Sequence, residues 1–130
     1  MELLHHDTTE KILKAFYKVY NELGYGFLEK VYENALFLEL NAMNMSCVKQ
    51  KQIKVHYNRQ IVGNYFADLI VNNEIIIELK ASEFLREEHE YQLINYLKAT
   101  EIEVGLLLNF GKNPSFKRKV FTNDIKNKSV

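Results

Sequence analysis

Two charged side chains interrupt a run that is otherwise apolar, Ile75-Ile76-Ile77-Glu78-Leu79-Lys80. Charge is costly to bury unless it is paired or holds a metal. A pleat of period two puts Glu78 and Lys80 on one face of such a strand and Ile77 and Leu79 on the other. Asp68 lies in the preceding strand-like run, and the connecting loop decides whether it joins that face. A loop of Asn72-Asn73 alone pairs Val71 with Glu74 and sets Asp68 opposite Ile77, on the wrong side. A loop of Asn72-Asn73-Glu74 pairs Val71 with Ile75 and sets Asp68 opposite Glu78. The chemical reading therefore requires the longer loop or a bulge, and Asn73 suits it because asparagine tolerates the left-handed conformation.

Two carboxylates side by side repel one another unless a divalent cation sits between them. Oxygen donors with room for water suit Mg²⁺ or Mn²⁺, whereas zinc prefers nitrogen or sulfur. Lys80 could then hold an attacking water or a phosphate oxygen and offset charge on a pentacovalent transition state, while the metal activates the water and polarises the phosphate. Glu29, at the start of a predicted helix, is expected to reach the same cation directly or through water. The expected ligand set is thus Asp68, Glu78 and Glu29, with Glu33, one turn further on, able to stand in for Glu29. Each element alone has a plainer reading: Glu-x-Lys occurs in exposed strands, and Asp68 could sit at a turn or an edge. Joined to an apolar strand and a matching Asp one strand away, they favour phosphodiester hydrolysis.

The elements that would position these groups follow from periodicity. Asp7 with Glu10 reads as an N-cap and capping box, followed by Ile12, Phe16, Val19, Tyr20 and Leu23 at helical spacing and closed by Gly24. A second helix is predicted from about Leu28 to Met43, with Glu29, Tyr32 and Glu33 on one face. Three strand-like runs, Cys47 to Tyr57, Ile61 to Val71 and Glu74 to Lys80, are separated by turn signals at Asn58-Arg59 and Asn72-Asn73 and make a β-meander. A third helix spans roughly Arg86 to Thr100, a continuous apolar strand Val104 to Leu108, and a last edge strand Phe116 to Phe121. The order ααβββαββ predicts an α/β layered domain with the Ile75 to Leu79 and Val104 to Leu108 strands at its centre, since both are apolar on both faces. His89, Gln92 and Tyr96 align along one side of the third helix, either over the metal site in contact with substrate, or with Tyr96 in the core and the other two capping strand ends.

Against these residues the chain resembles the GxxExxY proteins, a group within the PD-(D/E)XK nuclease superfamily, over about Glu10 to Phe121. The naming motif stands as Gly26-Phe27-Leu28-Glu29-Lys30-Val31-Tyr32 and the nuclease core as Asp68 with Glu78-Leu79-Lys80. A third block, His89 to Leu97, is similar to the group's helix motif and to the Gln-x-x-x-Tyr signature of RecB-like nucleases, and Gly105 to Gly111 fits its strand. The resemblance implies a restriction-endonuclease-like mixed sheet, a meander plus a parallel strand flanked by helices. It makes Asp68, Glu78 and Lys80 the catalytic trio and Glu29 the extra helical acid. Ala67 stands where the superfamily's motif has proline, which leaves the carboxylate intact. Tyr32 is expected to pack in the core with its hydroxyl on the site, and His89, Gln92 and Tyr96 to support or bind substrate. The implied activity is Mg²⁺- or Mn²⁺-dependent cleavage of nucleic acid, with DNA favoured, and analogy with resolvases suggests a homodimer. The rival is a non-catalytic nucleic-acid- or protein-binding module that keeps the fold.

Composition narrows the alternatives. The 130 residues suit one domain, and 47% hydrophobic with 26% charged residues is ordinary for a globular chain. Residues 1–6 and 124–130 are expected to fray. Cys47 is the lone cysteine, which excludes an internal disulfide and a Cys-based zinc site. No stretch reads as a signal peptide or a membrane span, so a cytoplasmic protein is expected. A formal charge of zero argues against binding nucleic acid by bulk charge. Yet Glu74 to Glu103 carries eight acids against three bases, and the chain from Gly111 onward six bases against one acid, a polarity that suits a cation site beside a phosphate-contacting rim. His5-His6 lacks partner ligands. Gly111-Lys112 has Leu106 where a P-loop needs glycine, and no serine stands in a nucleophile elbow.

Overall fold

A computed structural model describes residues 3–126. Helix α1, His6–Leu23, buries Ile12, Ala15, Phe16 and Val19 along one stripe. Gly24, with φ of 72°, ends it by donating its N–H to the Tyr20 carbonyl. The N-cap is His5 in the left-handed region, and no side chain caps the helix. The expected Asp7 cap is therefore corrected: Asp7 lies inside the first turn, where its charge favours the helix dipole, and Glu10 pairs with His6 at 3.4 Å instead. Helix α2, Glu29–Ala42, buries Tyr32, Glu33, Leu36 and Leu40.

Strands β1, Cys47–Tyr57, and β2, Gln60–Val71, form an antiparallel hairpin closed by Asn58 and Arg59, both at positive φ. Strand β3, Ile75–Lys80, pairs with β2 through Val71↔Ile75, so the loop is the three-residue Asn72-Asn73-Glu74. Asn72 and Asn73 hold φ of 52° and 53°, the conformation that asparagine accepts most readily among residues with a Cβ. Helix α3, Glu87–Lys98, carries the chain across to β4, Val104–Phe110, which runs parallel to β3, and β5, Pro114–Val120, returns antiparallel. The sheet order β1-β2-β3-β4-β5 places the meander and the parallel pair as expected, with β3 central and β5 at an edge.

One face of the sheet packs Ile75, Ile77, Leu79, Leu106 and Phe110 against Phe16, Tyr32, Leu36 and Leu40 of α1 and α2. The other packs Ile70, Ile76 and Leu107 against Leu93, Tyr96 and Leu97 of α3. The long hairpin changes phase between these layers. Lys49 lies over the Phe37 ring of α2, while Ile53, of the same parity, joins the α3 core; Leu69 and Ala67 on β2 divide in the same way. The switch falls where Gln50, at φ of 50°, faces Asp68 without a ladder pair.

The ends carry more structure than the expected fraying. His5 Nδ1 lies 3.0 Å from Glu74, the Leu4 carbonyl accepts a bond from Arg118, and Asn123–Lys126 forms a helical turn, α4. Lys126 Nζ donates to the Thr100 and Ile102 carbonyls. Residues 1–2 and 127–130 of the expected frayed ends lie outside the described residues. Among the described residues no helix is long and apolar enough to cross a membrane.

Candidate active site

The β2–β3 ladder stops at Leu69↔Ile77, and at the next level the side chains take over from the backbone. The Asp68 N–H donates to Glu78 Oε1 at 3.0 Å, and the Leu79 N–H donates to Asp68 Oδ2 at 2.8 Å. Each strand thus satisfies a main-chain donor with the other's carboxylate, which fixes both acids where the hairpin parts from β3. The second Glu78 oxygen takes no hydrogen bond from the described residues. Gln50, on the far side of Asp68, spans Asp68 Oδ1 at 3.4 Å and Glu33 Oε1 at 2.9 Å.

The electrostatics oppose ionisation at this point. Glu78, 5% exposed, is pushed up to about 8, first by burial and then by the Asp68 charge; the bond from the Asp68 N–H and the Lys80 ammonium pull the other way, and Glu29 adds to the rise. Asp68 is also raised, by burial first, against the bond from Leu79, with the Glu33 charge adding to it. Two adjacent carboxylates that resist charging are a donor set that a divalent cation would relieve, and their hard oxygens fit Mg²⁺ or Mn²⁺. Among the described residues no three His, Cys, Asp or Glu side chains cluster as a metal cage. A cation here would rest on Asp68 and Glu78 and keep several waters, as Mg²⁺ commonly does.

The other predicted residues divide. Lys80 shares the Glu78 face, is half-buried, forms no ion pair among the described residues, and its charge is felt by Glu78, Asp68 and His89. Glu29 opens α2 exposed to solvent; it does not complete a three-acid cluster, and it acts on Glu78 and His89 through its charge. Glu33, one turn later, is buried and held by Lys30 and Gln50. Tyr32 departs from expectation. Its hydroxyl donates to the Gly24 carbonyl at 2.6 Å and accepts from the Phe27 N–H at 3.1 Å, not from the site, and its ring stacks on Phe110. It locks the α1–α2 loop and thereby sets where Glu29 begins its helix.

On α3, His89 Nδ1 accepts from the Arg86 N–H, so the imidazole caps its own helix rather than a strand end. Burial and Lys80 lower its pKa. Gln92 Nε2 donates to Tyr96 Oη at 2.6 Å, and Tyr96 is buried near enough to Glu78 and Asp68 that their charges, after burial, raise its phenol. Two residues escaped the sequence reading. Gln50 gave no signal, being an amide in a strand of alternating polar residues. Asn109, 1% exposed, ties the end of β4 to the β3–α3 loop by bonding both the N–H and the carbonyl of Ser82; a buried Asn in an all-apolar strand was the available signal.

Residues 6–120 match the family model of the PD-(D/E)XK nuclease superfamily. The chain belongs to that superfamily. Its five-stranded mixed sheet flanked by helices is consistent with the restriction-endonuclease-like fold. The fold is similar to that in the crystal structure of SSO0001, with a TM-score of 0.59 at 17% identity, over 95% of this chain and 63% of that one. This chain therefore spans less than two thirds of that protein's length. No curated protein matches the chain significantly.

Proposed function

We propose that this PD-(D/E)XK chain is a metal-dependent nuclease that hydrolyses phosphodiester bonds, with DNA as substrate, and that it falls in the GxxExxY group. The reading rests on the reciprocal hold of Asp68 and Glu78, two carboxylates fixed by backbone bonds in surroundings that disfavour their charge. Asp68 and Glu78 would hold Mg²⁺ or Mn²⁺, and the cation, when bound, would supply Lewis acidity toward phosphate and water. Lys80, on the same face and free of an ion pair among the described residues, offsets negative charge that develops on the phosphoryl oxygens. Glu29, solvent-facing at the entrance, orients water at the site through its carboxylate, and Glu33 with Gln50 holds Asp68 in place. By analogy with resolvases, a homodimer would bring two such sites together.

Purified protein is expected to cleave DNA with Mg²⁺ or Mn²⁺ and to lose about a hundredfold or more of that rate in Asp68→Ala and in Lys80→Ala. Equal cleavage by the variants would refute the assignment. A second reading, a non-catalytic binding module on the same fold, draws on the lack of a third acid beside the pair among the described residues. It predicts DNA binding with no turnover in any divalent cation.

A further inference from the structure

A cavity on the α3 side of the sheet has as one wall residue Tyr96, whose phenol feels the charges of Glu78 and Asp68. It has a volume of about 690 Å³ and opens between the free half of the β1–β2 hairpin and α3. Its walls include Tyr65 and His56 from the hairpin and Tyr91, Gln92 and Tyr96 from α3, and its charged lining is two cations, Lys54 and Lys98, and one acid, Glu88. Tyr65 and Tyr91 are 48% and 59% exposed, so two large rings are left uncovered inside a concavity. Gly63 lies close under the Tyr65 ring: a Cβ there would stand 3.0 Å from Tyr65 Cε2. Tyr65 and Tyr96 approach at 5.8 Å with a tilt of 46°, so the two rings form one inner wall of the cavity.

Exposed aromatic faces beside a lysine and an imidazole are what a nucleobase and its phosphate require, and stacking is open to any base with a free face. A paired base in a duplex has none. The chain's formal charge of zero also leaves little room for gripping a duplex through its phosphates. We infer that this cavity is a subsite for an unpaired nucleotide, so that the strand presented to Asp68 and Glu78 is single-stranded DNA, stacked on Tyr65 and Tyr91. The inference rests on the nuclease reading for the identity of its ligand, but its test does not depend on cleavage.

Binding is measured in EDTA by fluorescence anisotropy with labelled oligothymidylate and with a blunt duplex of equal length. The single strand should bind about tenfold or more tightly than the duplex. Tyr65→Ala and Tyr91→Ala, checked for folding by thermal melts, should each weaken it about tenfold, while Tyr65→Phe, which keeps the ring, should weaken it far less. Equal affinity for the two ligands, indifference to both alanine variants, or a loss in Tyr65→Phe as large as in Tyr65→Ala would overturn the subsite. Asp68-dependent cleavage that ignores Tyr65 and Tyr91 would overturn the subsite alone. Tyrosine-dependent strand binding without Asp68-dependent cleavage would uphold the subsite and sink the nuclease.

Discussion

Glu78 is a buried carboxylate whose surroundings hold it against ionisation. Folded, it holds its proton to about 8, whereas an ordinary glutamate releases it near 4.5. Between those values the unfolded chain binds fewer protons than the folded one, so metal-free stability is full below the lower value, falls as pH rises through the window, and levels off above it. Asp68, also raised, contributes with the same sign. At about 1.4 kcal/mol per pKa unit, the loss is on the order of a few kcal/mol. Urea midpoints in EDTA should therefore drop from pH 5 to pH 8 in the parent and drop much less in Glu78→Gln, and excess Mn²⁺ should reverse the drop in the parent. These acids were legible because a pleat has fixed parity and buried charge demands a reason. Gln50 was not, because its left-handed φ and its bonds to Glu33 and Asp68 are made by the tertiary fold. Tyr32 was located by its motif, yet its hydroxyl partner depended on how the α1–α2 loop folds back.

At the level of elements, the site exists because β2 and β3 separate at one level while β3 and β4 stay paired to Lys80↔Asn109. That requires β4 to be held firmly against α3, and Gly105 makes the approach close enough: a Cβ there would meet Leu93 Cδ1 at 2.6 Å and Cγ at 2.9 Å. Leu93 is fully buried and has little freedom to yield. Gly105→Ala should thus destabilise the protein by about 1–3 kcal/mol in chemical denaturation, despite alanine's usual advantage over glycine. The meander and the central apolar strands were readable from the apolar runs, whereas the three-residue loop followed only from the demand that Asp68 face Glu78, with Asn73 able to accommodate it. The start of α1 was not, because Asp7 looks like a cap in the sequence but the tether of His5 to Glu74 sets the helix entry. The α4 turn escaped notice because its anchor, Lys126 on the Thr100 and Ile102 carbonyls, is a long-range contact in a lysine-rich tail.

For the whole molecule, a superfamily core that presents acids at its centre must still attract a polyanion while carrying no net charge. Six of its seventeen bases lie in the chain from Gly111 onward, and there Lys119 is already engaged by Glu90 at 2.6 Å and Arg118 by the Leu4 carbonyl. The cavity itself offers a strand only Lys54 and Lys98, so binding there should depend weakly on salt: with about 0.7 per phosphate for single strands, log K against log[NaCl] should slope no more steeply than about −3. Anisotropy titrations across a range of NaCl concentrations check this, and a much steeper slope would point to an extensive phosphate track. All of this depends on whether Asp68 and Glu78 together hold a cation, which calorimetric titration of the metal-free protein with Mn²⁺ addresses without any substrate. The parent should bind Mn²⁺ in a saturable step that vanishes in both Asp68→Ala and Glu78→Gln, with thermal melts showing the variants folded. Saturable binding that survives in both variants, or none in the parent, would contradict the account.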